Sequence, residues 1–298
     1  MPYLALSIDL GTLDAERVEA ACFAGGALSV TLSDSRDDAI LEPALGTQPL
    51  WPSTRLQALY PEATDVALLK LVLATTLEIE PAAIRSATVA DRIWEREWLR
   101  DFKAMRFGAR LWVCPHHDQV SEPGARVVSL DPGLAFGTGT HPSTALCLEW
   151  LDRELPEGTQ VLDFGCGSGI LALAAARLGA AHVVAYDIDP QALLATRQNA
   201  EANGLTAQIS VCATAAELPA RTGIILANIL AGTLEGLAMP FARQLAPGGR
   251  LLLAGILAEQ VDAVTGAYVP WFDIRLAGER QQWVALEGIR NDNVHGLS

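Results

Sequence analysis

The chain has 298 residues, 50% of them hydrophobic, and a formal net charge of −14. That length suits one large domain or two ordinary ones around a sizeable core, and leaves disorder to the ends. The acidity argues against nucleic acid as the main partner, because phosphate binding calls for a basic face; it suits a basic partner, or simply solubility.

No run approaches the roughly 18 uninterrupted apolar residues of a transmembrane helix. The N-terminal MPYLALSIDL has neither a basic leader nor a cleavage pattern and does not read as a signal peptide. Cys22, Cys114, Cys147, Cys166 and Cys212 are scattered and form no CxxC pair, so a reduced, cytoplasmic chain with no structural zinc is expected.

Residues 1–90 read as a small α+β unit. An alternating strand over 3–10 precedes an amphipathic helix over 13–24, ended by Gly25-Gly26. A second strand follows at 27–32, then a polar, proline-containing loop at 33–53 and a third strand at 55–60. Thr64 or Asp65 caps a helix running to about residue 78, and a fourth strand covers 85–90. The order β-α-β-β-α-β is that of a ferredoxin-like domain. This segment carries twelve acidic residues against five basic ones and no catalytic constellation. It reads as a recognition module for a basic partner or, more simply, as a stability domain.

Residues 91–125 read as a connector. Trp94-Glu95-Arg96-Glu97-Trp98 is expected to form a short helix, and residues 110–114 an apolar strand ending at Pro115. His116-His117 resembles a metal pair, but adjacent residues on extended backbone point in opposite directions and no other ligands stand nearby in sequence. They read as surface histidines.

Residues 126–298 alternate strand and helix, which implies a doubly wound, mostly parallel sheet with helices on both faces. Strands are expected at 160–164, 182–188, 208–213, 223–229 and 250–255, and helices at 170–178, 190–203, 230–245 and 257–268. A final hairpin, 272–276 with 282–287, adds an antiparallel strand. The tail from Asn291 is polar and frayed.

Four features fall at the carboxyl ends of successive strands, where open α/β sheets bind ligands. The first is the turn Gly165-Cys166-Gly167-Ser168-Gly169, entered through Val161-Leu162-Asp163. Its glycines permit a tight turn and close approach to a small molecule. The second is Asp187, about 22 residues past the first glycine and close to the usual offset of about 20 for an acid that accepts both ribose hydroxyls. The third is Asn228, which offers an amide and a carbonyl beside the bound molecule. The fourth is the upstream DPGLAFGTGTHPST, a second glycine-rich turn with an aromatic, feeding a helix that runs to about residue 155. Plainer roles stand beside these: Asp163 as a turn cap, Asn228 as a helix cap, His141 as a cap rather than a base, Thr144 as a first-turn threonine. Asp189 already fills the capping position before Pro190, which frees Asp187 for the ribose.

A dinucleotide fingerprint is GxGxxG, aiming a helix at a pyrophosphate. Here the spacing is GxGxG after an acidic strand residue, and it resembles motif I of the class I S-adenosylmethionine-dependent methyltransferases, as does the closing hairpin. DPGLAFGTGTHPSTALCLEWL, DFGCGSGILALAAARLGA, YDIDPQALLATRQNAEANG and LANILAG, together with WEREWLRDFKAMRFGARLWVCP upstream, are similar to the PrmA family. Its members methylate the eleventh protein of the large ribosomal subunit.

The resemblance implies a Rossmann-like class I methyltransferase sheet over 126–298 behind a smaller ferredoxin-like substrate-recognition domain. It implies a monomeric, cytoplasmic protein-lysine N-methyltransferase that acts on lysine side chains and the terminal amine of that ribosomal protein, with S-adenosylmethionine as cofactor, no metal, and no direct contact with nucleic acid or membrane. Thr144, Gly165, Gly167, Asp187 and Asn228 are then cofactor contacts. Phe136, Thr138 and Gly139 belong to the turn over its methionine end, and Asn228 is the candidate catalytic residue. The rival readings are a class I methyltransferase acting on nucleic acid or a metabolite, and a binding module that keeps a cofactor fold.

Overall fold

A computed structural model describes residues 3–36, 51, 53–89, 103–116, 118–130 and 139–291. The chain divides into two compact units, Met1–Trp94 and Glu95–Ser298.

In the first unit, β1 (Tyr3–Asp9), α1 (Ala15–Ala24), β2 (Ser29–Asp34), β3 (Thr54–Pro61), α2 (Val66–Leu77) and β4 (Arg85–Val89) follow in the expected order. The sheet runs β2-β3-β1-β4 with every neighbour antiparallel, which is the ferredoxin-like arrangement. Its period-2 alternation puts Leu4, Leu6, Ile8, Leu56, Ala58 and Tyr60 in one core with Val18, Leu69 and Leu73 of the helices. Each buried leucine contributes about 1.5–3 kcal/mol relative to exposure. Asp14 caps α1, accepting the Arg17 N–H at 2.8 Å, and Asp65 caps α2, accepting from Ala67 and Leu68.

The second unit opens with β5 (Met105–Phe107), β6 (Leu111–Cys114) and β7 (Arg126–Ser129), a three-stranded sheet. The stretch assigned from sequence to a connector therefore divides, and residues 105–114 belong to the body of this unit. Asp152 of α3 (Pro142–Glu154) holds that hairpin. It is buried, accepts the Ala109 N–H at 2.6 Å and pairs with the Arg110 guanidinium at 3.3 Å. The expected helix at 94–98 and His117 lie outside the described residues.

The main elements that follow are β8 (Gln160–Phe164), α4 (Ile170–Arg177), β9 (His182–Tyr186), α5 (Pro190–Ala202), β10 (Ile209–Cys212), β11 (Thr222–Asn228), α6 (Ala231–Glu235), α7 (Ala238–Gln244), β12 (Leu245–Leu257), α8 (Val261–Tyr268), β13 (Phe272–Arg280) and β14 (Trp283–Arg290). They build a seven-stranded sheet in the order β10-β9-β8-β11-β12-β14-β13. Strands β8 to β12 are mutually parallel, and β14 is antiparallel to both its neighbours. The chain winds outward from β8 to β10, then crosses back to β11 on β8's other side. That reversal opens a crevice at the carboxyl ends of β8 and β11.

Alternate strand residues feed two cores. Val161, Val183, Ala185, Ile224, Leu226 and Leu252 face one; Leu162, Val184, Ile225, Ala227, Leu251 and Leu253 face the other. The single helix expected at 230–245 is two. Gly236 ends α6, and α7 carries Pro240, which has no N–H to give, in its first turn. Likewise β12 extends to Leu257, whose N–H bonds Gln260 Oε1 at 2.9 Å before α8 begins. Among the described residues no helix is long and apolar enough to cross a membrane.

Candidate active site

The glycine turn follows β8 directly. Gly165, Gly167 and Gly169 have φ of +79°, +54° and +80°, values that side-chain-bearing residues rarely adopt. The Gly165 and Cys166 N–H groups donate to the Tyr186 carbonyl at 2.8 and 3.0 Å, tying the turn to the end of β9. A Cβ on Gly165 would collide with Ile229 Cγ2, and one on Gly169 would stand 2.8 Å from Thr196. The turn is thus wedged between the residue after β11 and a side chain of α5.

Gly169 occupies the N-cap of α4 without a side chain to cap it. Asp163 supplies the cap from inside the sheet, its Oδ2 accepting the Ala172 N–H at 3.0 Å while the residue is only 1% exposed. Burial raises its carboxyl pKa to about 7; the Ala172 N–H opposes that shift and the charge of Asp187 adds to it. Its Oδ1 has no hydrogen-bond partner among the described residues.

Asp187 stands one residue past β9 and touches the turn itself. Its Oδ2 accepts the Gly167 N–H at 3.0 Å and its Oδ1 accepts the Asp189 N–H at 2.9 Å. Each oxygen keeps a further lone pair for a ligand hydroxyl. Beside it Ile188 is 84% exposed, an apolar surface at the rim of the crevice. Asp189 caps α5 through the Gln191 N–H at 2.9 Å, as its sequence position suggested.

Asn228 is the last residue of β11. It is not a helix cap: α6 begins three residues later with Leu230 at its cap position. Its Nδ2 instead donates to Thr144 Oγ1 at 3.2 Å, and Thr144, in the first turn of α3, is 1% exposed. Gly255, at φ +79°, passes so close that a Cβ there would stand 3.2 Å from Asn228 Oδ1 and collide with the Ile229 carbonyl oxygen. His141 is the N-cap of α3, its Nδ1 accepting the Ser143 N–H at 3.3 Å. Burial lowers its pKa, and its ring meets Trp283 edge-on at 4.6 Å.

The structure therefore brings Gly165, Gly167 and Asp187 into one hydrogen-bonded cradle, and Thr144 and Asn228 into a second pair. Gly139 lies near the start of α4, where an added Cβ would be 3.4 Å from Ile170 Cδ1 and from Phe107 Cζ. Phe136 and Thr138 lie outside the described residues. His116 Nδ1 is 2.6 Å from Ser129 Oγ, and among the described residues no group of three His, Cys, Asp or Glu is placed to hold a metal ion.

Sequence reasoning passed over three residues of α5 and its C-cap. Thr196, Asn199 and Asn203 turn their polar side chains onto the backbone of the glycine turn and of β7. Their i, i+3, i+7 spacing, next to the buried Ala192, Leu193 and Ala200, was the available signal.

The cradle suits a nucleoside without phosphates. The Ala172 N–H at the start of α4, a donor of the kind a pyrophosphate would need, is taken by the Asp163 carboxyl. A second carboxylate, Asp187, sits on the turn and would repel a pyrophosphate. The same carboxylate favours ribose hydroxyls and a cationic ligand, which fits S-adenosylmethionine.

A family profile described as ribosomal protein L11 methyltransferase (PrmA) matches residues 2–291. The ribosomal protein L11 methyltransferase of Pseudomonas aeruginosa is 48% identical over 291 residues, covering 97% of this chain and 99% of that one. The corresponding protein of Methylococcus capsulatus is 49% identical over 278 residues, covering 93% of this chain and 95% of that one. Among solved structures, a ribosomal protein L11 methylase from Lactobacillus delbrueckii subsp. bulgaricus superimposes with a TM-score of 0.59 at 31% identity, covering 64% of this chain and all of that one. A profile match spanning nearly the whole chain, with relatives this similar over their full lengths, places the chain in the ribosomal protein L11 methyltransferase (PrmA) family.

Proposed function

We infer that this chain transfers methyl groups from S-adenosylmethionine to amino groups of ribosomal protein L11. The observation that carries the reading is the pair of hydrogen-bonded couples at one end of the sheet, Gly167 with Asp187 and Asn228 with Thr144, in a chain of this family. Asp187 holds the ribose hydroxyls. Gly165 and Gly167 admit the amino-acid end, with Thr144, Gly139, Phe136 and Thr138 around it. S-adenosylmethionine supplies a methyl group that its sulfonium already activates.

The protein's task is then alignment and dewatering. A lysine amine is charged near neutral pH, with a reference pKa of about 10.4, and reacts only after losing a proton. An apolar pocket favours the neutral amine. With Asn228 Nδ2 committed to Thr144, its Oδ1 is the acceptor that orients an amine N–H. The Nδ1 of His141 is engaged as a helix cap and burial lowers its pKa, which weakens it as a proton acceptor, so it is not assigned as the base. The proton leaves to water.

The first unit is read as the module that recognises L11, supported by its surplus of acidic residues. The same acidity supports action on the protein without direct nucleic-acid contact; we read the chain as a monomer in the cytoplasm. The experiment is methyl transfer from labelled S-adenosylmethionine to purified L11, read by intact-mass and peptide mass spectrometry. Mass gains of whole methyl groups on lysine and the N-terminus are expected; label appearing in RNA but not in L11 would refute the reading.

A further inference from the structure

Three of the five residues of the turn are glycines at positive φ, a conformation they are free to leave. Something else must hold it. The structure shows what does, plane by plane. The peptide entering Gly167 is fixed by its N–H on Asp187 Oδ2 at 3.0 Å. The next, between Gly167 and Ser168, is fixed by the Thr196 hydroxyl, which donates to the Gly167 carbonyl at 3.1 Å. The third, between Ser168 and Gly169, is fixed at both ends. Asn199 Nδ2 donates to the Ser168 carbonyl at 2.8 Å, and the Gly169 N–H donates to the Cys166 carbonyl at 2.7 Å. A trans peptide is planar, so holding its carbonyl also aims its N–H.

Thr196 is 0% exposed, and its methyl lies where a Cβ on Gly169 would fall, so it fills the space behind the turn as well as bonding it. Both side chains sit on α5, the helix that starts just after Asp187. The helix that follows the proposed ribose carboxylate thus also sets the conformation of the turn. Farther along the same face, Asn203 brackets Ser129 at the end of β7, donating Nδ2 to its carbonyl at 2.6 Å and accepting its N–H on Oδ1 at 2.8 Å.

We propose that Thr196 and Asn199 are positioning residues for S-adenosylmethionine, holding the glycine turn in its binding conformation from the side away from the ligand. The proposal rests on the reading of that turn as the cofactor site. Without them the turn must be ordered at the moment of binding, and affinity falls by the fraction of time it is competent. A net hydrogen bond of about 1–1.5 kcal/mol corresponds to roughly a tenfold effect.

The test compares Thr196→Val, Thr196→Ser, Asn199→Ala and Asp187→Ala in the full chain. It measures calorimetric affinity for S-adenosylmethionine and S-adenosylhomocysteine, steady-state kinetics with L11, and melting with and without ligand. Thr196→Val and Asn199→Ala are expected to raise the cofactor KM and Kd roughly tenfold. Saturating kcat should stay within about twofold, KM for L11 should not change, and the ligand-induced rise in Tm should shrink more than the ligand-free Tm falls. Thr196→Ser, which keeps the hydroxyl, should recover most of the affinity. Unchanged cofactor affinity in Asn199→Ala and Thr196→Val, with Asp187→Ala crippled, overturns the proposal and leaves the site in place. Unchanged affinity in all of them overturns the site reading and the proposal together. Should Thr196→Val not fold, the half-buried Asn199→Ala decides the outcome alone.

Discussion

Asn228 and Thr144 are 84 residues apart in sequence and meet side chain to side chain, Nδ2 donating to Oγ1 at 3.2 Å. One closes the central β11; the other opens the helix that follows the FGTG segment. The bond ties the Asn228 amide to the first turn of α3, with Oδ1 left as an acceptor. Asn228→Ala is expected to lower kcat by on the order of 100-fold, the cost of losing alignment of a reacting group. Thr144→Val should cost less, about tenfold, by letting the amide rotate. If Thr144 acts on turnover through Asn228, the double variant's kcat will equal that of Asn228→Ala. Additive losses in kcat would show that the two act separately.

Asp187 is already bonded within the fold, and the proposed ribose role adds to those bonds. Its carboxylate already accepts the Gly167 and Asp189 N–H groups, so Asp187→Ala removes ligand acceptors and loosens the turn together. Hydrogen bonds to a charged group contribute about 1.5–3 kcal/mol, which corresponds to a loss of S-adenosylmethionine affinity of roughly 10- to 150-fold. Titration calorimetry gives the number directly. An affinity within twofold of the parent protein would remove Asp187 from the cofactor site.

The run of strands and helices along the chain, the antiparallel closing strand and the ferredoxin-like front unit were legible because each rests on local pattern: alternation, glycine punctuation, a β-α-β-β-α-β succession. What was not legible is how the candidate site residues reach one another. Nothing in YDID announces that Asp187 bonds Gly167, and nothing in TRQNAEAN says which helix face Thr196 and Asn199 occupy until the sheet is built. Asp163 left two roles open, and only its burial and its bond to Ala172 show it capping α4. The hairpin at 105–114 passed as a connector because its strands are short and their anchor, Asp152, lies some forty residues downstream.

The buried carboxyl of Asp163 makes stability depend on pH in a direction opposite to that of a salt-bridged acid. Its pKa is about 7 in the folded protein against 3.8 for an ordinary aspartate. The folded state therefore binds more protons between those values, and stability falls as pH rises from about 4 to about 7, then levels off. Asp163→Asn keeps an acceptor for Ala172 and does not titrate. Whatever the constant offset of the substitution, the difference between variant and parent should shift in the variant's favour by on the order of 3 kcal/mol from pH 5 to pH 8. Urea unfolding at the two pH values measures it. A parallel pair of pH profiles would mean that Asp163 does not titrate in this range.

At the other end of the sheet, Glu287 of β14 is buried between two arginines. Its Oε1 accepts Arg250 Nε at 2.7 Å and its Oε2 accepts Arg275 Nε at 2.9 Å, while Arg250 also reaches Glu154 at 2.9 Å and stacks over Trp150 at 4.8 Å. This cluster straps the antiparallel strand to the parallel body of the sheet, because Arg250 lies on β12 and Arg275 on β13. Removing one partner of a buried charged network leaves the others uncompensated and costs about 3–5 kcal/mol. Arg275 is more than half exposed and can turn to water, so the low end of that range is expected for Glu287→Ala. Gly255, beside Asn228, lies toward the far end of β12 from Arg250, so cofactor affinity measured well below the melting temperature should match that of the parent. A large loss of affinity at unchanged Tm would place Glu287 in the binding machinery instead of the scaffold.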